Sequence, residues 1–469
     1  MPDDRHRPSF HFTPPAYWMN DPNGLVYHAG EYHLFYQHNP YGTEWGHMSW
    51  GHAVSQDLVR WEHLPIAIWE RPEAGYTAFS GSAVVDREDT TGQAEGAEPP
   101  LVAVFTADHR TQDPRVQNIH VAFSLDRGRT FREAEENPVL SVGEAKFGDP
   151  KVFWHASTGK WLMASISGLG QGHVVFYGSR DLLSWEKLSE FHEDREAPGV
   201  WECPDLFPMA LDGDPDDVRW VLKTNCVSFG GGPSGTRFFV GDFDGETFSG
   251  AVPIGENLTS DDGAVYAEVT YNGLPDGRRV LIGWLRQQPC HSRPWTGVQS
   301  VPRELTLRSD GGTSVLCHEP VRELASLRGQ RRIVRDRPLG EEIALDEVAL
   351  GDAALDIRLV LDLRHATGGG VSLRLAGGET VRIGVSVATR ELYVARDGAD
   401  RVATGCDVDP GAAELRVLLD HEIIEAFAGE TAGVTALLPF GSSYDALSVF
   451  GAGVAPHMVR ADVWAMARA

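Results

Sequence analysis

Short alternating runs of apolar and polar positions dominate roughly the first 300 residues. "EYHLFYQ" (31–37), "LVAVFTA" (101–107), "HVVFYGS" (173–179) and "RVLIGWL" (279–285) are rich in β-branched and aromatic residues and end at Gly, Asn, Asp or Pro. A convincing helical period is missing from this region, so the pattern predicts strands throughout. A weak repeat adds organisation: "SQDLVRWE" (55–62), "SLDRGRTFRE" (124–133), "SRDLLSWE" (179–186) and "GDFDGETF" (241–248) each combine a strand end, a turn around Asp and an aromatic. Their spacing, about 55 to 70 residues, suits blades of four antiparallel strands, and five blades would fill this part of the chain.

The pattern changes after "HEPVRELASLRGQRR" (318–332), a charged and partly helical connector. Residues 336–469 are poorer in Trp, richer in Ala, Val, Leu and Gly, and alternate as in "LDIRLVLDL" and "VRIGVSVA". This segment reads as a β-sandwich, in which "LLDHEIIEAFAGE" supplies two short strands. The expectation is an all-β chain: a five-bladed β-propeller over 1–317, a linker over 318–335 and a β-sandwich over 336–469.

Composition narrows the partners. The 469 residues are 42% hydrophobic and 23% charged, as in globular proteins, and the formal net charge of −26 disfavours nucleic acid and anionic membranes. No run approaches the ~20 apolar residues of a membrane span. The start, "MPDDRHRPSF", lacks a secretory pattern, and the five cysteines (203, 226, 290, 317 and 406) are scattered without C-x-x-C spacing. Both features fit reduced thiols and a cytoplasmic location. The sandwich would be the surface for a homodimer.

Three carboxylates stand out by context: Asp21 in "YWMNDPNG", Asp149 in "KFGDPKVFW" and Glu202 in "VWECPDLF". Singly, the two aspartates read equally as Asx-turn residues and the glutamate as a strand-edge charge. Together they fall in three successive blades, each beside Pro and apolar residues, where inner strands converge. Two carboxylates across a pocket are what glycoside hydrolysis requires, and about 5 Å between them gives the retaining route. Glu202, flanked by Trp201 and Cys203, should be desolvated and raised in pKa, as suits a proton donor; an aspartate near turn N–H groups should stay ionised. Most of the 13 Trp should pack between blades, Trp61, Trp154 and Trp185 among them, leaving Trp45 and Trp50 as pocket candidates. His47 and His52 have no third ligand at a familiar spacing, so no metal is expected.

In order along the chain, "WMNDPNG", "YQHNP", "WGHMSWGHA", "FSGSAV", "DPKVFW", "WECPDLF" and "GWL…SVPREL" resemble glycoside hydrolase family 32, the β-fructofuranosidases, covering about residues 11 to 308 by motif. The resemblance implies an enzyme without cofactor that hydrolyses sucrose or short fructo-oligosaccharides. Asp21 would be the nucleophile, Glu202 the general acid/base and Asp149 the acid that holds fructosyl hydroxyls. It also implies that Asn20, Gln37, Trp45, Phe79, Ser80, Tyr266 and Trp284 line the fructose pocket, and that Cys203 tunes the acid/base. Fructosyl transfer, an unusual furanoside such as a D-arabinofuranoside, or a weakly active carbohydrate-binding propeller are the alternatives.

One motif departs from the family. Arg-Asp-Pro is the usual form, and this chain has Gly148-Asp149-Pro150. Losing a charged donor beside a sugar weakens binding by ~1.5–3 kcal/mol, and the glycine would open space. Lys146, Arg286 or Arg293 would then supply the charge. His38, where the family commonly has Tyr, is a smaller departure.

Overall fold

A computed structural model describes residues 6–168, 172–193, 199–228, 235–256, 264–286, 293–340, 342–345, 354–398 and 401–469. Strands make up the regular structure, and short 3₁₀ turns at Pro72–Ala74 and Arg322–Leu327 are its helical segments among the described residues. Cys290 lies outside the described residues.

Two compact units divide the chain: Thr13–Glu256 with Tyr266–Val315, and Met1–Phe12 with Asn257–Val265 and Leu316–Ala469. These bounds differ from those read off the sequence at both ends of the expected propeller. The N-terminal segment belongs to the second unit because Asp420 captures it. Its carboxylate accepts the N–H groups of Ser9, Phe10 and His11 at 2.7, 2.9 and 3.0 Å. Residues 318–335 are not a free linker either, since Arg328–Pro338 pairs antiparallel with His457–Met466 as an edge strand.

Among the described residues the first unit holds five sheets, each built on an antiparallel run of strands that follow one another along the chain. Their leading strands are Tyr17–His28, Thr77–Val85, Phe147–His155, Gly199–Ala210 and Val265–Thr270. Apolar seams join successive sheets: Phe35 and Trp50 with Ala83 and Phe105, then Val104 and Val121 with Val152 and Met163, then Ala164 and Phe176 with Leu206 and Phe239. The sequence repeat marks the turn before the last strand of four sheets. Asp57, Asp181 and Asp244 each accept two backbone N–H groups there, and Asp126 accepts that of Thr130. This is the Asx-turn role that favours Asp at such positions.

The fifth sheet is stitched to the first. Trp295–Thr296 runs parallel to Tyr17 and Trp18, while Val298–Gln299 pairs with Trp284 and Leu285. Gly297, between them, has φ +95° and would drive a Cβ to 1.9 Å from the Met19 carbonyl oxygen, so no other residue fits that close approach.

In the second unit, two sheets, each of six strands among the described residues, share one core, with Leu355, Ile357, Leu359 and Val417 of one sheet buried against Val371, Leu373, Ile383 and Val449 of the other. That is a β-sandwich. "LLDHEIIEAFAGE" spans the end of its strand Ala413–Asp420 and the whole of Ile423–Ala428, and carries the clamp on the N-terminal segment.

Buried histidines give the two units opposite responses to pH. Burial alone would lower the His11 pKa, but hydrogen bonds to Asp420 and Glu425 at 2.9 and 3.0 Å outweigh it and raise the value to about 9. His33, stacked on His52 and 3.0 Å from its ring nitrogen, is pushed down to about 4 by burial, and His52 falls well below the ordinary value. A raised histidine stabilises fully below its unfolded pKa of about 6.5, and that contribution is lost as pH rises through the folded value. A lowered one stabilises above about 6.5 and loses its contribution as pH falls. Amide exchange, corrected for intrinsic rates, should therefore show the sandwich unit loosening as pH rises toward 9 and the first unit loosening as pH falls toward 4. His11→Gln should remove the alkaline loss; if that loss persists, the clamp is not its source.

Candidate active site

Four of the five leading strands break their ladders where they pass the middle of the first unit. Register shifts fall between Met19 and Pro22, Phe79 and Gly81, Gly148 and Lys151, and Glu202 and Asp205. A bulge leaves a residue unpaired and re-aims its side chain. Proline after Asp21, Asp149 and Cys203 suits this, because it has no N–H to offer the ladder. Asp149 and Cys203 take left-handed backbone conformations, φ 52° and 48°, costly for non-glycine residues and typical of functional sites.

The bulges deliver their side chains to one place. Asp21 accepts from Ser80 Oγ at 2.7 Å and from Asn20 Nδ2 at 3.1 Å. Asp149 accepts the Cys203 N–H at 3.1 Å, and the Cys203 thiol lies 3.7 Å from Asp21 and 4.0 Å from Asp149. Glu202 accepts from Tyr266 Oη at 2.5 Å and from Lys146 Nζ at 2.8 Å. All five leading strands thus contribute: Asp21, Ser80, Asp149, Glu202 with Cys203, and Tyr266.

The remaining sequence candidates sort into wall and rim. Gln37 is buried and donates to the Ala78 carbonyl at 3.0 Å. Asn20 also accepts from Trp18 Nε1 at 2.7 Å, and Trp284 packs against the cluster of Cys203 and Tyr266. Trp45 is 46% exposed, edge-on to Phe79 at 6.0 Å, with the Arg110 guanidinium 4.4 Å over its ring. Trp50 does not belong to the site; it is fully buried and its Nε1 donates to the Phe79 carbonyl at 2.9 Å. His47 and His52 point to different partners, Glu70 and His33. The implied action of Cys203 on Glu202 also changes, since its thiol contacts the two aspartates.

The expected order of acidities is inverted. Burial raises Asp21 to about 6, with Ser80 opposing and the Asp149 and Glu202 charges adding to it. Asp149 is likewise raised, by burial first and against the pull of Lys146. Burial also works to raise Glu202, but the Lys146 ammonium and the Tyr266 hydroxyl outweigh it and hold Glu202 below the ordinary glutamate value. The turn N–H groups expected to keep Asp21 ionised are replaced by two side-chain donors, and the decisive cation is on a neighbouring strand end.

Gly148 does not border open space. A Cβ there would lie 2.5 and 2.7 Å from Oγ1 and Cγ2 of Thr106. Thr106 Oγ1 accepts the Asp149 N–H at 2.9 Å and donates to the Ser80 carbonyl at 3.0 Å, fixing both bulges. Of the three cations considered from sequence, Lys146 holds Glu202, Arg286 stacks 3.7 Å over the Tyr266 ring, and Arg293 is buried. Thr106 and Lys223 were not foreseen. Lys223, fully buried, donates to the Cys203 carbonyl at 3.2 Å and to Asn225 and the Glu268 carbonyl. Both lie inside apolar alternation that reads as ordinary core.

Acids gathered this way on an all-β scaffold form the class of site used by carboxylate glycosidases. The model described as "Glycosyl hydrolases family 32 N-terminal domain" matches residues 11–320, and "Glycosyl hydrolases family 32 C terminal" matches 323–465. The levanase of Bacillus subtilis (strain 168) is 38% identical across 91% of this chain, which spans 65% of that enzyme. The extracellular exo-inulinase of Aspergillus awamori is 32% identical over 99% of this chain and 95% of its own. Its crystal structure superposes with TM-score 0.86 at 30% identity over 99% and 98% of the two chains. A fructofuranosidase variant from Schwanniomyces occidentalis complexed with fructosylnystose gives 0.87 at 25% identity over 100% and 99%. The chain belongs to glycoside hydrolase family 32 and is a fructofuranosidase-type glycosidase.

Two tests follow from this geometry. Removing the Lys146 cation raises the Glu202 pKa, so Lys146→Met should move the alkaline limb of the kcat/KM profile to higher pH; an unmoved limb would separate Lys146 from Glu202. Gly148→Ala should cost about 1–3 kcal/mol through overpacking, and less in a Thr106→Ala background. Equal losses of Tm in both backgrounds would show that Thr106 is not the obstacle.

Proposed function

We propose that this chain is a retaining, exo-acting β-fructofuranosidase that releases terminal β-D-fructofuranosyl units from sucrose or short fructo-oligosaccharides by double displacement. The observation that carries the reading is the convergence of three carboxylates from three leading strands, with Ser80 and Tyr266 from the other two. We read the five sheets as the blades of a five-bladed propeller, with the site at one mouth of the central channel.

In the first step an Asp21 oxygen bonds to the anomeric carbon while the bond to the leaving oxygen breaks, and Glu202 passes its proton to that oxygen. Ser80 and Asn20 each bond one Asp21 oxygen, which fixes the carboxylate for attack. In the second step Glu202 takes a proton from water, the water oxygen bonds to the anomeric carbon, and Asp21 leaves. The Lys146 ammonium favours Glu202 as the carboxylate, the form the second step starts from. Asp149, aimed by its bulge and by the Cys203 and Thr106 contacts, holds fructosyl hydroxyls.

Gly148 stands, in this reading, where the family motif carries arginine, and Lys146 supplies the cation from two residues earlier. A groove of about 810 Å³ beside Trp45, lined also by Tyr41, Glu70 and Arg110, gives room for further sugar units. That favours oligosaccharides as well as sucrose, as do relatives named levanase and exo-inulinase.

Asp21→Asn and Glu202→Gln should each reduce turnover of sucrose and inulin by several orders of magnitude. With an activated aryl fructofuranoside, azide should restore turnover to Glu202→Ala but not to Asp21→Ala. NMR of the first-formed product should show the β anomer; an α product would exclude double displacement.

A further inference from the structure

A second cavity opens at the other ends of the same leading strands. It has a volume of about 370 Å³ and is lined by Val26, Val84, Trp154, Phe207 and Asn272, from or just beyond all five leading strands. That size lies within the ~300–1,000 Å³ of small-molecule sites. From sequence Trp154 reads as blade packing, yet it is 41% exposed. It stands edge-on to Trp161 at 5.1 Å, and both rings line the cavity. Phe153 and Trp220, 5.6 Å apart, extend the aromatic wall.

Two arginines line the cavity among the described residues, Arg87 at its exposed mouth and Arg279 on the wall. Arg279 lies with its guanidinium 5.0 Å over the Phe207 ring. One terminal nitrogen donates to the Tyr271 carbonyl at 3.2 Å, while Nε is buried without an acceptor. The carboxylate that acts on it through space, Asp205, is taken by Lys151 Nζ at 3.2 Å. Arg279 is half-buried and lines the cavity, so its guanidinium, though not the enclosed Nε, presents a cation and N–H donors to an anion held there. Arg87 and Glu88 at the mouth are both exposed and carry opposite charges, so the rim itself gives no net preference.

We propose that this cavity is a second ligand site, distinct from the carboxylate centre, that takes a monosaccharide-sized sugar bearing one anionic group, a sugar phosphate or a uronate. Trp154 offers its exposed ring to the apolar face of the sugar, and Arg279 binds the phosphate or carboxylate. The site needs nothing from the catalytic acids, so it stands apart from the fructofuranosidase reading.

Calorimetric titration of the full chain with D-glucose 6-phosphate, D-glucuronate, D-glucose and inorganic phosphate tests it. At least one of the two anionic sugars should saturate one site below about 10 mM, with glucose and phosphate at least about tenfold weaker; which sugar binds tells phosphate from carboxylate. Trp154→Ala should weaken that binding at least about tenfold while sucrose hydrolysis stays within about twofold of the parent. Arg279→Gln should abolish it, and Trp154→Ala, a change at the exposed rim, serves if that variant fails to fold. Binding of glucose or phosphate as tight as the anionic sugars, no saturation with either sugar, or binding untouched by Trp154→Ala overturns the proposal.

Discussion

The site depends on strands that fail to pair at chosen points. A regular strand sends neighbouring side chains to opposite faces, so a continuous ladder cannot turn Glu202 and Cys203, or Asn20 and Asp21, toward one centre. A bulge in each of four leading strands solves this. Proline makes three of these interruptions permanent, since Pro22, Pro150 and Pro204, at or inside the bulges, have no N–H to restore the ladder. Thr106 locks two bulges to each other through Asp149 N–H and the Ser80 carbonyl. Its methyl and hydroxyl occupy the volume a side chain at 148 would need, so Gly148 is a condition of that lock.

Charge balance follows from the same convergence. Burial opposes the ionisation of the gathered acids, and their mutual repulsion adds to it, which lifts Asp21 and Asp149. A single lysine, placed against Glu202, decides which acid keeps its charge. Since the groups interact strongly, the protons belong to the set, and the pH profile reports the set rather than one residue. Beneath them, Lys223 bonds the Cys203 carbonyl, and Lys151 is paired with Asp205 and donates to the Thr270 carbonyl, so ion pairs and charged hydrogen bonds join the apolar seams inside the first unit.

Much of the architecture could be read from the chain. Alternation predicted strands, the Asp-aromatic repeat marked the turn before the last strand in four sheets, and the change in composition after residue 332 marked the sandwich. The clamp of Asp420 on residues 9–11 and the stitching of 295–299 to Tyr17 and Trp18 were not legible, because both join segments remote in sequence. Trp154 was misjudged for a related reason: a tryptophan beside apolar neighbours looks the same whether its outer face is covered or bare.

Sequence by itself determined which acids stand in turn-and-proline settings and which family the motifs match, since local chemistry and ordered motifs are written residue by residue. Only the tertiary structure decided the state of those acids. Asp21 is raised by burial and by the charges of Asp149 and Glu202, and Glu202 is lowered by Lys146 and Tyr266, partners that all lie at least 56 residues away along the chain. Electrostatic energy falls with distance through space and takes no account of separation along the backbone. The same holds for Gly148, whose meaning rests on the side chain of Thr106 packed against it.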